Sequence, residues 1–129
     1  MKGSNKREIT ILAVDDEPVS LKLIESALAP MRYKIIKAKN GEEAVNLAHV
    51  HKPDLILMDV LMPEMDGYTA SSEIRKDVKI RDIPIIMLTS VGHDLNKKLA
   101  EDIGANGYIV KPFMIDDLNN KINETLQSD

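Results

Sequence analysis

Five polar residues stand at the ends of short apolar runs in this sequence. Asp15 and Asp16 follow a run that ends at Val14, and Asp59 follows a run that ends at Met58. Thr89 and Lys111 follow the runs that end at Leu88 and Val110. Carboxylates bind hard cations, and an aspartate can also act as a nucleophile. A hydroxyl and an ammonium can bind the oxygens of a transferring phosphoryl group. If these side chains meet, they predict metal-assisted phosphoryl chemistry.

Each of these residues also has a purely structural interpretation when it is taken alone. The acidic run Asp15 to Glu17 precedes Pro18 and could cap a helix. Asp59 could be a turn residue, Thr89 is a good strand former, and Lys111 before a proline could be solvated. The case for chemistry therefore depends on the elements that bring these residues to one place.

Short apolar runs alternate with segments of helical spacing along most of the chain. Four runs are continuous, which is the pattern of parallel strands covered on both faces. We expect them to be buried strands: Ile9 to Val14, Leu55 to Met58, Ile85 to Leu88 and Tyr108 to Val110. A fifth run, Tyr33 to Ala38, carries lysines and is predicted to be an edge strand.

Caps and apolar spacing predict a helix after each strand. The five helices are expected to begin near Pro18, after Asn40, after Gly67, near Asp94 and at Ile115. The first is expected to take Asp16 or Glu17 as its cap and to end around Pro30, and the second to use a capping box of Asn40 and Glu43. The fourth is expected to end at Ile103 with Gly104 as its C-cap, and the fifth to end at Leu126.

The apolar face of each helix follows from residues three and four positions apart. The expected faces are Val19, Leu23 and Ala27 in the first helix, Ala44, Leu47 and Ala48 in the second, Leu95, Leu99 and Ile103 in the fourth, and Ile115, Leu118, Ile122 and Leu126 in the fifth.

Five strand and helix pairs predict an α/β fold, a doubly wound five-stranded parallel sheet in the flavodoxin-like order 2-1-3-4-5 with five helices. Strands one, three, four and five are neighbours in this order. Because the carboxyl ends of parallel strands meet at one edge of the sheet, the five polar residues should share one pocket.

Three carboxylates in one pocket repel one another and raise at least one pKa unless a cation compensates. An oxygen-only ligand set without histidine or cysteine suits a hard cation. Few ligands, with room for water and phosphate, favour Mg²⁺ over Ca²⁺. We therefore expect a Mg²⁺ site.

Composition and charge exclude several classes of function. The chain has 129 residues, no cysteine and a formal net charge of −4. One domain of this size forms a core without disulfides. The acidic balance argues against direct nucleic-acid binding, and no apolar run reaches the roughly 18 residues of a membrane span. Because the polar start also lacks the apolar core of a signal peptide, we expect a cytoplasmic protein without membrane insertion.

Four segments at these strand ends together resemble the receiver domain of two-component response regulators, among them the chemotaxis response regulator. They are Val14 to Asp16, Leu57 to Gly67, Leu88 to Ser90 and Gly104 to Phe113, and the resemblance extends from about Glu8 to Leu126. The joint pattern is highly specific, whereas no single segment is. It implies a flexible N-terminal segment (residues 1–7), a receiver domain (residues 8–127) and no output domain in this chain.

The resemblance implies a role for each matching residue. Asp59 is the expected phosphoacceptor, with a sensor histidine kinase or a phosphotransfer protein as the donor. Asp16 is expected to bind Mg²⁺ directly, as Asp59 does, and Asp15 mostly through water. The main-chain carbonyl of Leu61 supplies a further oxygen. Lys111 is expected to pair with the carboxylate or phosphoryl oxygens.

Thr89 and Tyr108 are the switch residues that the resemblance implies. Thr89 would shift toward the phosphoryl group, and Tyr108 would turn inward in the active state. Helix four, strand five and helix five then present an altered face to a downstream effector, from a monomer or a phosphorylation-dependent dimer. Such a receiver is a signalling module and not an enzyme, since it catalyses only its own phosphotransfer and slow autodephosphorylation.

Two other functions remain open. An aspartyl-phosphate phosphohydrolase also uses an aspartate nucleophile and Mg²⁺. Its nucleophile follows the first strand with a second aspartate two residues later, whereas Asp59 follows the third strand and is followed by Leu61. A receiver-like module that signals without phosphate is disfavoured because all five polar residues are present.

Two positions depart from the receiver pattern. Leu61 and Val91 are apolar where many relatives have polar residues that help to position a hydrolytic water. Because neither side chain can hydrogen-bond a water, we expect a comparatively long-lived phosphorylated state.

Overall fold

Strands and helices alternate through the described part of the chain. The computed structural model describes residues 8–90 and 97–127. In chain order the elements are β1 (Thr10–Val14), α1 (Pro18–Leu28) with a 3-10 turn (Ala29–Met31), β2 (Lys34–Ala38), α2 (Gly41–His51), β3 (Leu55–Asp59), α3 (Gly67–Lys76), β4 (Ile85–Ser90), α4 (Lys97–Asp102), β5 (Gly107–Lys111) and α5 (Ile115–Gln127).

Three sequence expectations fall on residues that lie outside the described ranges. They are the flexible N-terminal segment (residues 1–7), the start of helix four near Asp94 with Leu95 on its face, and the apolar position Val91.

The five strands form one parallel sheet in the order β2-β1-β3-β4-β5. Val14 of β1 lies beside Met58 of β3, and Asp59 lies beside Leu88 of β4. The predicted fold and strand order are therefore confirmed. The lysine-bearing strand β2 is at one edge of the sheet, as its sequence predicts.

Helices cover both faces of the sheet, which explains the continuous apolar strands. Along β1, Ile11 and Ala13 pack in one core layer and Leu12 and Val14 in the other. The first layer is shared with α1 and α5, the second with α2 and α3. Because successive side chains of a strand point to opposite faces, such a strand must be apolar at every position. No helix in residues 8–90 and 97–127 is long and apolar enough to cross a membrane.

The buried face of α1 differs from the predicted one at two of its three residues. Val19 is 72% exposed and Leu23 is 60% exposed. The helix packs through Ala27, as predicted, and otherwise through Leu21, Ile24 and Leu28. The bulky residues at 21, 24 and 28 form a stripe that buries more apolar area than the predicted face, and burial of apolar area determines which side of a helix packs.

Two further helices are less buried than their sequences predict. Ile115 begins α5 and is 57% exposed, while Leu118 and Ile122 are buried as expected. In α4, Leu99 is 38% exposed and the buried residue is Ala100. Both exposed residues lie in short or terminal turns, which contact the sheet along less of their length.

Strand β5 was predicted to be buried and is the second edge of the sheet. Its residue Ile109 packs against the layer that contains α5. Tyr108 is 46% exposed and Val110 is 43% exposed. An edge strand has a neighbour on one side only, so its apolar run does not ensure burial on both faces.

The N-cap residues of α1 and α2 are those that the sequence predicts. The amide of Glu43 donates to Oδ1 of Asn40 at 2.8 Å, as predicted. The Glu43 carboxylate accepts from the amide of Lys39 at 2.7 Å, one residue before the position expected in a capping box. Glu17 is the N-cap residue of α1, but its side chain makes no capping hydrogen bond.

Candidate functional site

Three aspartates converge at the carboxyl edge of the sheet. Asp15 follows β1 and Asp59 ends β3, and both are almost completely buried. Asp16 is exposed at the rim. One carboxylate oxygen from each of the three lies within 4.8 Å of the others. The structure thus brings together the three aspartates that the sequence singled out.

Lys111, the last residue of β5, reaches across to this cluster. Its ammonium donates to Oδ2 of Asp15 at 2.8 Å and lies 3.5 Å from Oδ1 of Asp59. The side chain of Lys111 is only 15% exposed. The cation therefore lies between the two buried carboxylates and is closer to Asp15, a preference that the sequence did not indicate.

Asp15 is held in place from three directions. Its main-chain amide donates to the carbonyl of Ala38 in β2 at 3.1 Å. Its Oδ1 accepts from the amide of Glu17 at 3.0 Å, and its Oδ2 accepts from Lys111. One oxygen of Asp15 therefore forms a turn directly before α1, while no side chain of the acidic run caps the helix as the structural interpretation proposed.

The backbone around Asp59 is packed against the start of α3. The amide of Val60 donates to Leu88 of β4, and the amide of Gly67 donates back to the carbonyl of Val60, both at 2.9 Å. A Cβ atom at Gly67 would lie 2.2 Å from the carbonyl oxygen of Asp59. Only glycine allows this approach. The sequence marked Gly67 as part of a turn and a helix start, and it gave no signal of this contact.

The turn into α3 is completed by Asp66. Its Oδ1 accepts from the amide of Thr69 at 2.8 Å, which caps the first turn of the helix. This acidic residue is therefore used structurally, in contrast to the cluster at the end of β1 and β3.

The electrostatics of the cluster show an excess of negative charge. Burial, and next the charge of Asp15, raise the pKa of Asp59 from 3.8 to about 7, although Lys111 opposes the shift. For Lys111, burial lowers the pKa, but the hydrogen bond and charge of Asp15, together with Asp59, outweigh burial and raise it. One ammonium does not fully compensate the aspartates.

The donor set fits a hard metal ion. It offers carboxylate oxygens from Asp15, Asp16 and Asp59, and its net charge is negative. Asp15 and Asp59 are buried, whereas Asp16 is exposed to solvent. Oxygen ligands of this kind suit a divalent cation of the Mg²⁺ or Ca²⁺ type. The remaining predicted ligand, the carbonyl of Leu61, lies in the loop after β3, where the leucine side chain is 52% exposed.

The two predicted switch residues lie on neighbouring strands. Thr89 is buried in β4, one position beyond Leu88, which pairs with Asp59. Tyr108 of β5 lies beside Met87 and is 46% exposed. Since side chains two apart on a strand, and side chains paired across parallel strands, project from the same face, Thr89 and Tyr108 share one face of the sheet.

A doubly wound parallel sheet with buried aspartates and a lysine at its carboxyl edge defines a class of signalling domain. Similarity to known protein families identifies this class. Residues 11–123 match the family described as the response regulator receiver domain. This chain belongs to that family, whose typical function is phosphorylation-driven switching in two-component systems.

Curated relatives carry the same domain within longer proteins. The probable transcriptional regulator ycf27 of Guillardia theta is 41% identical over 117 residues, which are 91% of this chain and 45% of that protein. The alkaline phosphatase synthesis transcriptional regulatory protein PhoP of Bacillus subtilis is 36% identical over 117 residues, 91% of this chain and 48% of that protein. The chain spans about half the length of the curated relatives it matches.

Solved structures of receivers superimpose closely on this chain. A putative response regulator from Chloroflexus aurantiacus has a TM-score of 0.88 and 33% identity, covering 95% of this chain and 100% of that one. The receiver domain of a sensor histidine kinase from Pseudomonas aeruginosa has a TM-score of 0.86 and 34% identity, with the same coverage. That structure has a magnesium ion coordinated in its active site cleft.

Proposed function

We propose that this receiver accepts a phosphoryl group on Asp59 from a phosphohistidine of a sensor histidine kinase or phosphotransfer protein. The phosphorylated state then changes the surface formed by α4, β5 and α5, which binds a downstream effector. The observation that carries this proposal is the buried Asp59 carboxylate held among Asp15, Asp16 and Lys111 at the carboxyl edge of the sheet.

The covalent step takes place at the Asp59 carboxylate. One of its oxygens attacks the phosphorus atom, the phosphorus–nitrogen bond to the donor imidazole breaks, and an acyl phosphate forms. The attacking group must be the ionised carboxylate. Burial and the charge of Asp15 raise the pKa of Asp59 to about 7, which disfavours this ionised form, and nearby positive charge favours it again. Lys111 supplies part of this charge and is placed to bind a phosphoryl oxygen.

Asp15, Asp16 and Asp59 are the side chains that would hold Mg²⁺, and the carbonyl of Leu61 would complete the protein ligands. When bound, the ion supplies charge neutralisation at the carboxylates and at the incoming phosphoryl oxygens. The magnesium-containing receiver from Pseudomonas aeruginosa supports this choice of metal. Asp59, Lys111 and Thr89 are the residues that we propose to catalyse the phosphoryl transfer.

The signal passes from the site to the surface through Thr89 and Tyr108. The Thr89 hydroxyl would donate to a phosphoryl oxygen, and its movement would leave space for Tyr108, which shares its face of the sheet. The partner surface is used by a monomer or by a phosphorylation-dependent dimer. The relatives named as transcriptional regulators support a downstream effector in gene control. The formal net charge of −4 argues against direct nucleic-acid contact by this domain, and the proposed location is the cytoplasm.

Residues 8–127 constitute the proposed receiver, and its chemistry is limited to its own phosphotransfer and slow autodephosphorylation. A phosphohydrolase is disfavoured because Asp59 ends β3 and not β1. Its second aspartate would be at the position of Leu61, whose side chain can neither donate nor accept a proton.

The test is the intact mass of the protein after incubation with acetyl phosphate and Mg²⁺. One phosphoryl adduct is expected in the wild type and in Asp102→Asn, a control at an exposed position on α4. The adduct should be absent in Asp59→Asn and in wild type treated with a chelator. An adduct that persists in Asp59→Asn, or none in the wild type, contradicts the proposal.

A further inference from the structure

The guanidinium of Arg75, near the C-terminal end of α3, donates hydrogen bonds to main-chain carbonyls of two other segments. Nε donates to Ile103 at 3.0 Å and Nη2 to Gly104 at 2.8 Å, both directly after α4. Nη1 donates to Arg81 and Ile83, both at 2.8 Å, in the connection that leads into β4. One side chain thus joins three parts of the fold.

Asn106 extends this network to the first residues of two strands. Its Oδ1 accepts from Nη2 of Arg75 at 3.3 Å and from the amide of Ile85 at 2.9 Å. The main-chain amide of Asn106 donates to the carbonyl of Ile85 at 2.8 Å. Asn106 immediately precedes β5, and Ile85 begins β4. The network therefore fixes where β5 starts relative to β4.

The contacts require an arginine at this position. Five N–H donors in a planar fork can serve several carbonyls at once, whereas a lysine ammonium has three donors at a single point. The carbonyls of Ile103 and Gly104 follow the last turn of α4, where helix carbonyls lack partners within the helix and the helix dipole favours a cation. Arg75 satisfies them from another helix.

The backbone at Gly104 is adapted to this contact. Its φ of +74° is a left-handed conformation that glycine adopts without strain, and it ends the helix in the way the sequence predicts. A Cβ atom here would also lie 3.3 Å from Nε of Arg75. The glycine thus both ends α4 and allows close approach of the guanidinium.

We propose that Arg75 is a positioning residue that anchors the connection between α4 and β5 to α3 and to the start of β4. Tyr108 lies two residues after Asn106, so the anchor defines the fixed end of the strand on which this switch residue lies. The anchoring follows from the hydrogen bonds, and its consequence for switching rests on the proposed function.

The anchor is tested by hydrogen exchange in Arg75→Met, with Lys76→Met as a control that removes one positive charge from an exposed neighbouring position on α3. We expect amides from 103 to 108 to exchange at least tenfold faster in Arg75→Met, with β1 and β2 unchanged, and no such effect in Lys76→Met. Arg75→Lys, which retains the charge, should give an intermediate acceleration. Wild-type exchange at 103–108, or equal acceleration throughout the sheet, would overturn the proposal.

If Arg75→Met fails to fold, the same exchange measurement is decisive in Arg75→Lys and in Asn106→Ala. The link to switching has a separate readout, the fluorine resonance of fluorotyrosine at Tyr108 after treatment with acetyl phosphate and Mg²⁺. Arg75→Lys should form the same amount of adduct as wild type but show at most half of the wild-type shift. A full shift contradicts the link. An absent adduct in the wild type contradicts the proposed function instead, while the exchange result still decides the anchor.

Discussion

Lys111 donates a 2.8 Å hydrogen bond to Asp15, the most deeply buried carboxylate of the cluster. Its ammonium lies 3.5 Å from Asp59. The lysine thus compensates Asp15 more directly than Asp59, which keeps a raised pKa of about 7. In this arrangement the proposed phosphoacceptor is the group whose charge depends most on a bound cation.

Replacing Lys111 with methionine should destabilise the metal-free protein. The change leaves Asp15 buried without its cation and removes an interaction that lowers the pKa of Asp59. Loss of one partner of such a buried pair costs about 3 kcal/mol. Urea unfolding at pH 8 measures the loss, and Mg²⁺ should restore part of it.

The matched control for this variant is Lys98→Met, because Lys98 is exposed and its ion pair with Asp102 spans 3.9 Å. An exposed pair contributes less than about 1 kcal/mol. Equal losses in the two variants would show that the position of Lys111 between the carboxylates does not matter for stability.

The stability of the metal-free protein should fall as the pH rises from about 4 to about 7. The Asp59 pKa is raised from 3.8 to about 7 in the folded state, so the folded state binds more protons than the unfolded state in this window. The protonated Asp59 carboxyl contributes its full stabilisation below pH 3.8, and this contribution is lost above about pH 7. Between these limits the free energy of unfolding changes by at most about 1.4 kcal/mol per pH unit.

Urea unfolding between pH 4 and 8 tests this dependence, with Asp59→Asn as the comparison. The variant has no carboxyl group at this position, so its stability should vary less with pH and exceed that of the wild type at pH 8. The same pH slope in both proteins would mean that the carboxyl of Asp59 is not perturbed.

Gly67→Ala should destabilise the protein and displace the backbone of Asp59. The added Cβ would lie 2.2 Å from the carbonyl oxygen of Asp59, a distance that requires the chain to shift. We expect a loss of about 2 to 3 kcal/mol in thermal or urea unfolding, as for other overpacked sites. Weaker Mg²⁺ binding by calorimetry should accompany it.

Thr69→Ala is the control, since this residue is exposed in the first turn of the same helix. It should change stability by less than about 0.5 kcal/mol. If Gly67→Ala is equally mild, the close contact with Asp59 is relieved without consequence and does not position the carboxylate.

The fold was predictable because its strongest signals are local. Continuous apolar runs predicted β1, β3 and β4, and Lys34 and Lys37 predicted the edge strand β2. The crossover rule for parallel strands then limits the order of the sheet. The carboxyl ends of β1, β3 and β5 place Asp15, Asp59 and Lys111 together, so the members of the cluster follow from topology and spacing.

The contacts between distant segments were not predictable in the same way. Nothing in the spacing shows that Gly67 touches the backbone of Asp59, or that Arg75 binds the carbonyls after α4. Faces of helices with several apolar residues were also ambiguous, and Val19 and Leu23 were placed on the wrong side of α1. These features depend on which surfaces pack in three dimensions, which periodicity alone does not determine.

Leu61→Asn should shorten the life of the phosphorylated state. The Leu61 side chain is 52% exposed beside the cluster and cannot hydrogen-bond a water, whereas an amide at this position can orient one for attack. We expect adduct loss, followed by intact mass after removal of the phosphodonor, to accelerate about tenfold or more.

Leu61→Met is the control for this change, because it keeps the position apolar and should retain the slow wild-type loss. A wild-type half-life of seconds would contradict the expectation of a long-lived state. An unchanged rate in Leu61→Asn would show that the position does not govern hydrolysis.

The central claim is that Asp59 itself carries the phosphoryl group, and reductive trapping tests it most directly. Borohydride reduces an acyl phosphate to an alcohol, which converts a phosphorylated aspartate to homoserine. After treatment with acetyl phosphate and Mg²⁺, tandem mass spectrometry of the trapped peptides should find homoserine at position 59. Homoserine at position 15 or 16, or at none of the three, would contradict the account.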